Sequence, residues 1–514
     1  MNKFYLPREN KALKPKAKGF YITTSIAYTN APPHLGYSLE LVQADVLARY
    51  HKIFGEDVFF LTGTDEHGFK IVRKAEEAGK TPEEFTDELS GKFKDLTKVL
   101  NLSNNDFIRT TDKKRHWPNV EMAWKRLQEK NDIYKKKYRG LYCVGCEAFI
   151  TKKDLVARKC KIHQKEPEVA EEENYFFRLS KYSKEIEGII KTDEVKIIPD
   201  GRKNEMLSFI GQGLEDISFS RPRKDLKWGI PVPDDDSQTI YVWADALVNY
   251  ISALGGIEGK KFKKYWPPNI QCVGKDILRF HATIWLGMLL ALNLKLPKNI
   301  FVHGFVTSGD QKMSKSLGNV ADPFELVKKY GSTSSPQAGA DAVRYFLLRE
   351  IPAAEDGDFT EGKFIERYNA DLAGGIGNLV ARVITLSRNL KVKSQKSKLQ
   401  AKIQKVINET RGDYKKALEN FRFNEALIAI WELISFCDKY INDEKPWSFD
   451  PARAFGSEAQ ARRDKEKCNE AIGNLLFAIS EIADLIKPFL PATAEKILKQ
   501  IKEGKSRPLF PRIK

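Results

Sequence analysis

Residues 28–40 read YTNAPPHLGYSLE. Two prolines lead into His34, Leu35 and Gly36, and Leu39, Leu41, Val42, Val46, Leu47 and Tyr50 then recur at helical spacing. An imidazole and a glycine therefore stand at the first turn of a helix whose body must be buried. A helix start presents unpaired N–H groups and the positive end of the dipole, which suits phosphate. Gly36 would let a ligand approach the backbone, and His34 could donate a hydrogen bond to phosphate oxygens. The plainer alternative is a proline-shaped loop with a surface histidine. A second stretch, SGDQKMSKSLGN, follows the apolar run NIFVHGF and holds Lys312, Met313, Ser314, Lys315 and Ser316. Two lysines three apart in a Gly/Ser-rich loop suit a triphosphate whose charge shifts as pyrophosphate leaves. A solvated basic loop is the alternative there.

A third constellation is YCVGCEAF…ARKCKIH, with Cys143, Cys146, Cys160 and His163. Two short-spaced pairs, C-x2-C and C-x2-H, match a tetrahedral structural zinc site with no position left for water. Four unrelated residues, or a reduced redox pair at Cys143 and Cys146, are the competing readings. The other cysteines are too few for a disulfide scaffold in a chain of 514 residues.

The elements that must position these residues follow from the hydropathy pattern. FYITTS, DVFFLTG, TIYVW, NIQCVG and NIFVHGF read as buried strands with helical stretches between them, the pattern of an open parallel α/β sheet. Residues 131–238 interrupt that rhythm with charged, cysteine-bearing, β-like pieces and read as an insertion between two halves of one sheet. From about residue 361 the chain reads as helices. NEALIAIWELISFCDKYI and NEAIGNLLFAISEIADLI carry apolar stripes of helical period, and an antiparallel bundle is expected. The division is a basic tail at 1–19, sheet halves at 20–130 and 239–330, the insertion at 131–238, a linker at 331–370 and the helical part at 371–514.

Taken together and in order, PHLG and KMSKS on either side of an insertion resemble a class I aminoacyl-tRNA synthetase. LTGTDEHG (61–68), YVWADAL (241–247), VGKDILRFH (273–281), NYFFRLSKY, SRPRKDLKWGIPVP and YINDEKPW narrow the resemblance to the methionyl-tRNA synthetase family, from about residue 20 to the C-terminus. That resemblance implies a Rossmann-type catalytic domain split by an inserted zinc-knuckle domain, then an α-helical anticodon-binding domain. It implies activation of L-methionine by ATP, with Mg2+, to methionyl-adenylate, then transfer to the terminal ribose of methionine tRNA, initiator included. His34, Gly36, Tyr37, Lys312, Ser314, Lys315 and Ser316 would serve the phosphates. Gly274 and Asp276 would face the ATP ribose.

The methionine pocket implied by the motifs comprises Ile26, Tyr28, Trp243, Ala246, Leu247, Tyr250 and His281, with Asp65 for the substrate ammonium. Arg221 is a further candidate, for the substrate carboxylate or for Asp65. Asn378, Arg382 and Trp447 match the family's anticodon readers. Without the resemblance, Trp447 packed in the bundle and Arg382 in an ordinary ion pair would be the simpler reading. One structural zinc is implied at Cys143, Cys146, Cys160 and His163. The chain departs from the family pattern twice. Tyr37 stands where the family usually has a second histidine, and the stretch at 331–340 reads as a flexible insertion near the lysine loop.

Charge fits a nucleic-acid partner. Lys and Arg number 86 against 69 Asp and Glu, for a net charge of +17, which favours a polyanion over an acidic partner. A merely soluble basic protein is the alternative. No run of 18 apolar residues appears, so no membrane span is expected. The first twenty residues lack an apolar core, so no secretory signal is expected, and the cytoplasm is the expected compartment. With no further tRNA-binding domain after the helical part, a monomer is expected. The alternatives are a class I synthetase for another amino acid, or a tRNA-binding module without catalysis.

Overall fold

The computed structural model describes residues 19–143, 148–150, 154–161, 164–309, 311–312, 321–331, 336–389, 401–447 and 458–513. In chain order the elements begin β1 (Phe20–Tyr28), α1 (Leu35–Ile53), β2 (Val58–Asp65), α2 (Phe69–Glu77), α3 (Pro82–Val99), β3 (Asp106–Arg109) and α4 (Trp117–Glu129). Next come β4 (Ile133–Cys143), β5 (Ala148–Ile150), β6 (Leu155–Val156), β7 (Lys159–Cys160), β8 (Glu168–Phe177), α5 (Ser183–Lys191), β9 (Lys196–Ile198) and α6 (Asp200–Ile210). β10 (Ile217–Ser218), β11 (Ser220–Pro222), β12 (Pro231–Val232), β13 (Asp235–Ile240), α7 (Val242–Ala246), α8 (Asn249–Ser252), α9 (Lys260–Tyr265), β14 (Ile270–Gly274), α10 (Leu286–Ala291) and β15 (Asn299–His303) follow. The rest is β16 (Val306–Ser308), β17 (Gln311–Lys312), α11 (Pro323–Tyr330), α12 (Pro336–Arg349), β18 (Gly357–Asp358), α13 (Glu361–Arg367), α14 (Asn378–Asn389), α15 (Ala401–Glu419), α16 (Phe423–Glu444), α17 (Glu458–Ile486) and α18 (Pro491–Glu503).

The central sheet has the order β3-β2-β1-β14-β15-β9, with every neighbour parallel. β2 is buried along its whole length, as a strand covered on both faces must be. The chain first builds outward from β1 through β2 to β3, then resumes on the other side of β1 with β14 and β15. The order therefore switches between β1 and β14. β9, from within the 131–238 stretch, forms the edge beyond β15. A separate four-stranded sheet, β10-β8-β4-β5, carries Cys143 at the end of β4, and a two-stranded sheet, β6-β7, carries Cys160.

TIYVW does not join the central sheet. Its first residues close β13, which pairs antiparallel with β11 and β12, and Val242 and Trp243 already belong to α7. Apolar runs this short do not separate a strand from a buried helix by pattern alone. The expected flexible insertion at 331–340 is corrected in its second half. Pro336 opens α12, where Ala338 and Ala340 are buried. A Cβ on Gly339 would lie 2.1 Å from Val327 O, so glycine here lets α12 lie close against the end of α11. Residues 332–335 lie outside the described residues.

One core cluster runs from the α1 face of the sheet through α12 into α14–α18, and a second fills the other face. α1 is buried on nearly every side, so its polar residues need internal partners. Asp45 accepts from Arg49 at 2.7 Å, from the Ser103 N–H at 2.7 Å and from Arg344 at 2.8 Å. Arg344, on α12 and fully buried, also donates to Phe489 O at 2.7 Å and Pro488 O at 2.8 Å, between α17 and α18. The helix that starts at the PHLG motif is thus tied directly to the helical domain. No helix among the described residues is long and apolar enough to cross a membrane.

Candidate functional site

A cleft of about 460 Å³ opens where the strand order switches, at the carboxyl ends of β1 and β14. Open parallel sheets bind ligands at such a point, and the volume suits a small molecule. β1 contributes Ile26 and Tyr28, β2 Asp65, and the first turns of α1 His34, Gly36, Tyr37 and Glu40. α7 and the residues after it contribute Trp243, Ala246, Leu247 and Tyr250, while Gly274, Asp276 and His281 come from the end of β14 onward.

His34 is the N-cap of α1, and its Nδ1 accepts the Gly36 N–H at 3.1 Å. A backbone N–H only donates, so the ring hydrogen is assigned to Nε2. A Cβ on Gly36 would lie 2.8 Å from His34 Cε1. Glycine therefore makes room for the imidazole, and it also lines the cleft. The expected bare helix start is corrected. Leu35 N–H donates to Ala321 O at 3.1 Å, and those of Tyr37 and Ser38 donate to His34 O at 3.0 and 3.3 Å. The imidazole is the polar side chain of this turn that lines the cleft. Ala321 is the first described residue after 313–320.

Tyr37 also lines the cleft, but its hydroxyl lies 3.2 Å from Thr62 Oγ1 and its ring meets Phe93 edge-on at 5.1 Å. Burial holds its phenol well above the usual range, with Glu40 adding to the shift. Tyr37 Oη and Thr62 Oγ1 share one hydrogen bond in which either can donate. Glu40 accepts from Ser25 N–H and Ser25 Oγ, both at 2.6 Å, and from His303 Nε2 at 2.8 Å. His303 Nδ1 faces Gly304 O at 2.7 Å, so both ring nitrogens face acceptors. Burial alone would lower the His303 pKa, but the Glu40 carboxylate outweighs it and the net shift is upward. A Cβ on Gly274 would lie 2.7 Å from Asp276 Oδ1, so glycine there lets the carboxylate fold back over the strand end.

The apolar side of the cleft is aromatic. Trp243 stacks on Phe280 with centroids 4.0 Å apart and meets His281 edge-on at 6.2 Å. His281 Nδ1 lies 3.1 Å from Ile277 O, a group that only accepts, so its hydrogen sits on Nδ1 and Nε2 accepts from Tyr250 Oη at 2.9 Å. Burial pushes the His281 pKa down to about 4, so this wall is uncharged at neutral pH. An uncharged aromatic wall fits an apolar, polarizable side chain. Asp65 ends β2 at 8 % exposure, in register with Tyr28 on β1. Thr29 N–H and Oγ1 both donate to Asp65 O at 3.0 Å and fix the two strand ends together.

The other expected residues fall elsewhere. Lys312 lies on β17, paired with Thr307, while Ser314, Lys315 and Ser316 lie outside the described residues. Cys143 ends β4 and Cys160 lies on β7. Both are 2 % exposed and share one small cluster with Ile150, while Cys146 and His163 lie outside the described residues. Among the described residues no group of three or more His, Cys, Asp or Glu could hold a metal ion. Arg221 is buried and does not line the cleft. It donates to Ser218 Oγ and Ser220 O, both at 2.7 Å, and stacks over Tyr241 at 4.8 Å.

In the helical domain, Asn378 opens α14 and Arg382 lies one turn on, along the same face. Arg382 is 3.5 Å from Asp438, donates to Asn442 Oδ1 at 2.8 Å and lies 5.6 Å over the Trp447 ring. Trp447 is 48 % exposed, just beyond the left-handed cap Lys445 that ends α16.

Sequence reasoning missed Glu40, His303 and Phe280. The signal for Glu40 was a carboxylate inside the apolar run LELVQADVL, where a buried charge must have a partner. His303 and Phe280 gave no comparable signal, because each stands in an apolar run that reads as core.

The chain matches the family described as tRNA synthetases class I (M) over residues 20–155 and 150–384. Residues 400–511 match the anticodon-binding domain of tRNA ligase. It is 41 % identical over 492 residues to the methionine–tRNA ligase of Thermotoga maritima, covering 94 % of this chain and 75 % of that one. It is 38 % identical over 552 residues to the methionine–tRNA ligase of Bacillus subtilis, covering 99 % and 79 %. Among solved structures it is similar to Mycobacterium tuberculosis methionyl-tRNA synthetase in complex with methionyl-adenylate. The TM-score is 0.88 at 33 % identity, covering 96 % of this chain and 100 % of that one.

Proposed function

The chain belongs to the methionine–tRNA ligases, the class I tRNA synthetases for methionine, and from that premise we propose how its own residues divide the work. The enzyme activates methionine with ATP to the adenylate, then transfers the methionyl group to tRNA. The observation that carries the assignment of roles is the cleft at the β1/β14 switch, with an uncharged aromatic wall on one side and His34 at a helix start on the other.

Trp243, Ala246, Leu247, Tyr250, His281, Ile26 and Tyr28 hold the methionine side chain, and Asp65 holds its ammonium. The carboxylate of methionine attacks the α-phosphorus, and pyrophosphate leaves. His34 Nε2–H donates to the phosphates. Lys312 and Lys315 neutralise the leaving pyrophosphate, with Ser314 and Ser316 in the same loop. Asp276 and Gly274 receive the ribose. Glu40, fixed by Ser25 and His303, adds to the nucleotide side of the cleft. Nothing in this sequence of events needs a side-chain nucleophile; positioning and charge stabilisation suffice. Mg2+ enters as part of the ATP substrate. The adenylate is then attacked by the ribose hydroxyl at the tRNA end, the 2′-hydroxyl by class.

Asn378, Arg382 and Trp447 read the anticodon. The support for this is a half-exposed indole beside a guanidinium on one face of the helical domain, the pairing that single-stranded bases stack on. Cys143, Cys146, Cys160 and His163 would hold one zinc, whose chemistry there is to fix the fold of the small β6–β7 region. The two buried thiols in one cluster fit such a donor set. Methionine-dependent ATP–pyrophosphate exchange, run with and without Lys315→Ala, tests the assignment of roles. Adenylate formation should slow in the variant with methionine affinity kept, and an unchanged exchange rate removes Lys315 from the mechanism.

A further inference from the structure

Behind the methionine wall lies a buried charge cluster that the reaction itself does not use. Asp245 is on α7, between Trp243 and Ala246 in sequence, and is 1 % exposed. One of its oxygens lies 2.6 Å from His67 Nδ1 and the other 2.6 Å from His116 Nε2. His67 stands two residues after Asp65, beyond the end of β2. His116 is the residue before α4, and its Nδ1 lies 3.0 Å from Ser252 Oγ on α8. Ser252 Oγ donates to Val248 O at 3.1 Å.

These partners assign the hydrogens. Ser252 Oγ has one hydrogen and two acceptors in reach, Val248 O and His116 Nδ1. The carboxylate only accepts, so His116 Nε2 and His67 Nδ1 both donate to it. A carboxylate this deep persists as an anion only when donors of this kind surround it. Burial alone would raise the Asp245 pKa, but His67 and His116 together hold it below the usual carboxylate range. The other carboxylate near His67 is Glu66, which Arg109 neutralises at 2.7 Å.

The cluster joins two walls of one pocket. α7 is five residues long and has no side-chain cap at its start, so its own hydrogen bonds hold it weakly in place. Its cleft-lining residues are Val242, Trp243 and Ala246. Through His67 the same helix is bound to the turn that carries Asp65. A methionine must touch Asp65 with its ammonium and α7 with its side chain at the same time. We infer that Asp245, clamped between His67 and His116, is a positioning residue that sets the separation of the ammonium site from the thioether wall and so governs methionine affinity. The inference rests on the methionine-activating reading of the cleft. A misplacement of about 1 Å at such a site costs roughly a hundredfold, whereas the phosphate side, held by α1, lies outside the clamp.

The test is ATP–pyrophosphate exchange by the full chain carrying Asp245→Asn, with methionine and ATP varied separately. The methionine KM should rise tenfold or more, while the ATP KM stays within about twofold. Unchanged methionine KM, or a loss confined to kcat, overturns the proposal. If Asp245→Asn does not fold, Ser252→Ala and His116→Gln leave the carboxylate in place and are measured the same way. A selective rise of the methionine KM in either supports the clamp, and equal changes for both substrates overturn it. Histidine-selective 15N NMR of the unmodified enzyme reads the clamp directly. A hydrogen on His116 Nε2 and one on His67 Nδ1 are expected, and a ring with either of those nitrogens bare contradicts the clamp. Absence of methionine-dependent exchange in the unmodified enzyme would instead overturn the reading of the cleft.

Discussion

The cleft at the β1/β14 switch and the face formed by Arg382 and Trp447 are built in opposite ways. In the cleft the polar groups hold one another. Glu40 is fixed by Ser25 and His303, His281 by Tyr250 and Ile277, and Asp245 by two imidazoles. On the helical face Trp447 keeps about half of its surface in solvent beside a guanidinium. A reaction in which charge moves gains most from dipoles that need not reorganise. A surface that stacks an unpaired base gains most from an exposed π face. On the proposed assignment of roles, the difference in burial tracks a difference in task.

Breaking the cleft should give the largest effect. His34→Ala removes a phosphate donor from the activation step, and both pyrophosphate exchange and tRNA charging should fall by on the order of a hundredfold, or about 3 kcal/mol. Exchange at the normal rate would take His34 out of the phosphate site.

The joint between the two regions offers a second, pH-dependent break. Asp341, on α12, accepts from Thr493 N–H and Oγ1 at 2.7 Å, at the start of α18. Burial pushes its pKa up to about 6, above the usual carboxylate range. A carboxyl raised in this way contributes most to the fold below its unfolded pKa, and that contribution is lost as pH rises from there through 6. The loss is at most about 3 kcal/mol. Asp341→Asn should therefore gain on the parent in thermal unfolding between pH 5, where about half of that loss has occurred, and pH 8, where it is complete. Equal melting temperatures at both pH values would show that this carboxyl does not govern the joint.

Removal of zinc sharpens the comparison from a third side. Cys160→Ser should lower the metal content from one zinc per chain and reduce tRNA charging by several-fold, with methionine activation largely kept. A metal-free protein with full charging activity rules the site out. The smallest effect is expected at His281. Because its pKa is pushed down to about 4, methionine affinity should stay flat from pH 8 to about pH 5.5 and weaken only below that. A break near pH 6.5, in a titration of methionine binding, would mean that the ring is not buried as described.

The motifs that showed in the sequence are those whose residue types are unusual for their surroundings. A histidine and glycine after two prolines, a Lys/Ser loop and paired Cys spacings stand out from any core pattern. Residues that look like core did not show. Phe280 and His303 sit in apolar runs, and their role depends on which strand or helix lies beside them in space. Four of the six strands of the central sheet were legible from their apolar runs, because buried parallel strands are continuous in hydropathy; the short β3 and β9 were not. TIYVW was misread because a five-residue run of that kind suits a strand end or a short buried helix equally. Gly36 was singled out for a ligand's approach, and the structure adds a second need for it: a Cβ there would crowd the ring of His34. Asp245 was quoted only as part of a motif, and its two imidazole partners come from 178 and 129 positions away.

The central claim is that activation is complete within the cleft and that the helical face acts only in choosing the tRNA. Trp447→Ala tests it most directly, with pyrophosphate exchange and tRNA charging measured on the same preparation. Loss of one base stack is worth roughly 1–3 kcal/mol, so charging should fall about five- to a hundredfold while methionine-dependent exchange stays within twofold of the parent. An equal fall in both reactions, or no fall in either, would contradict the account.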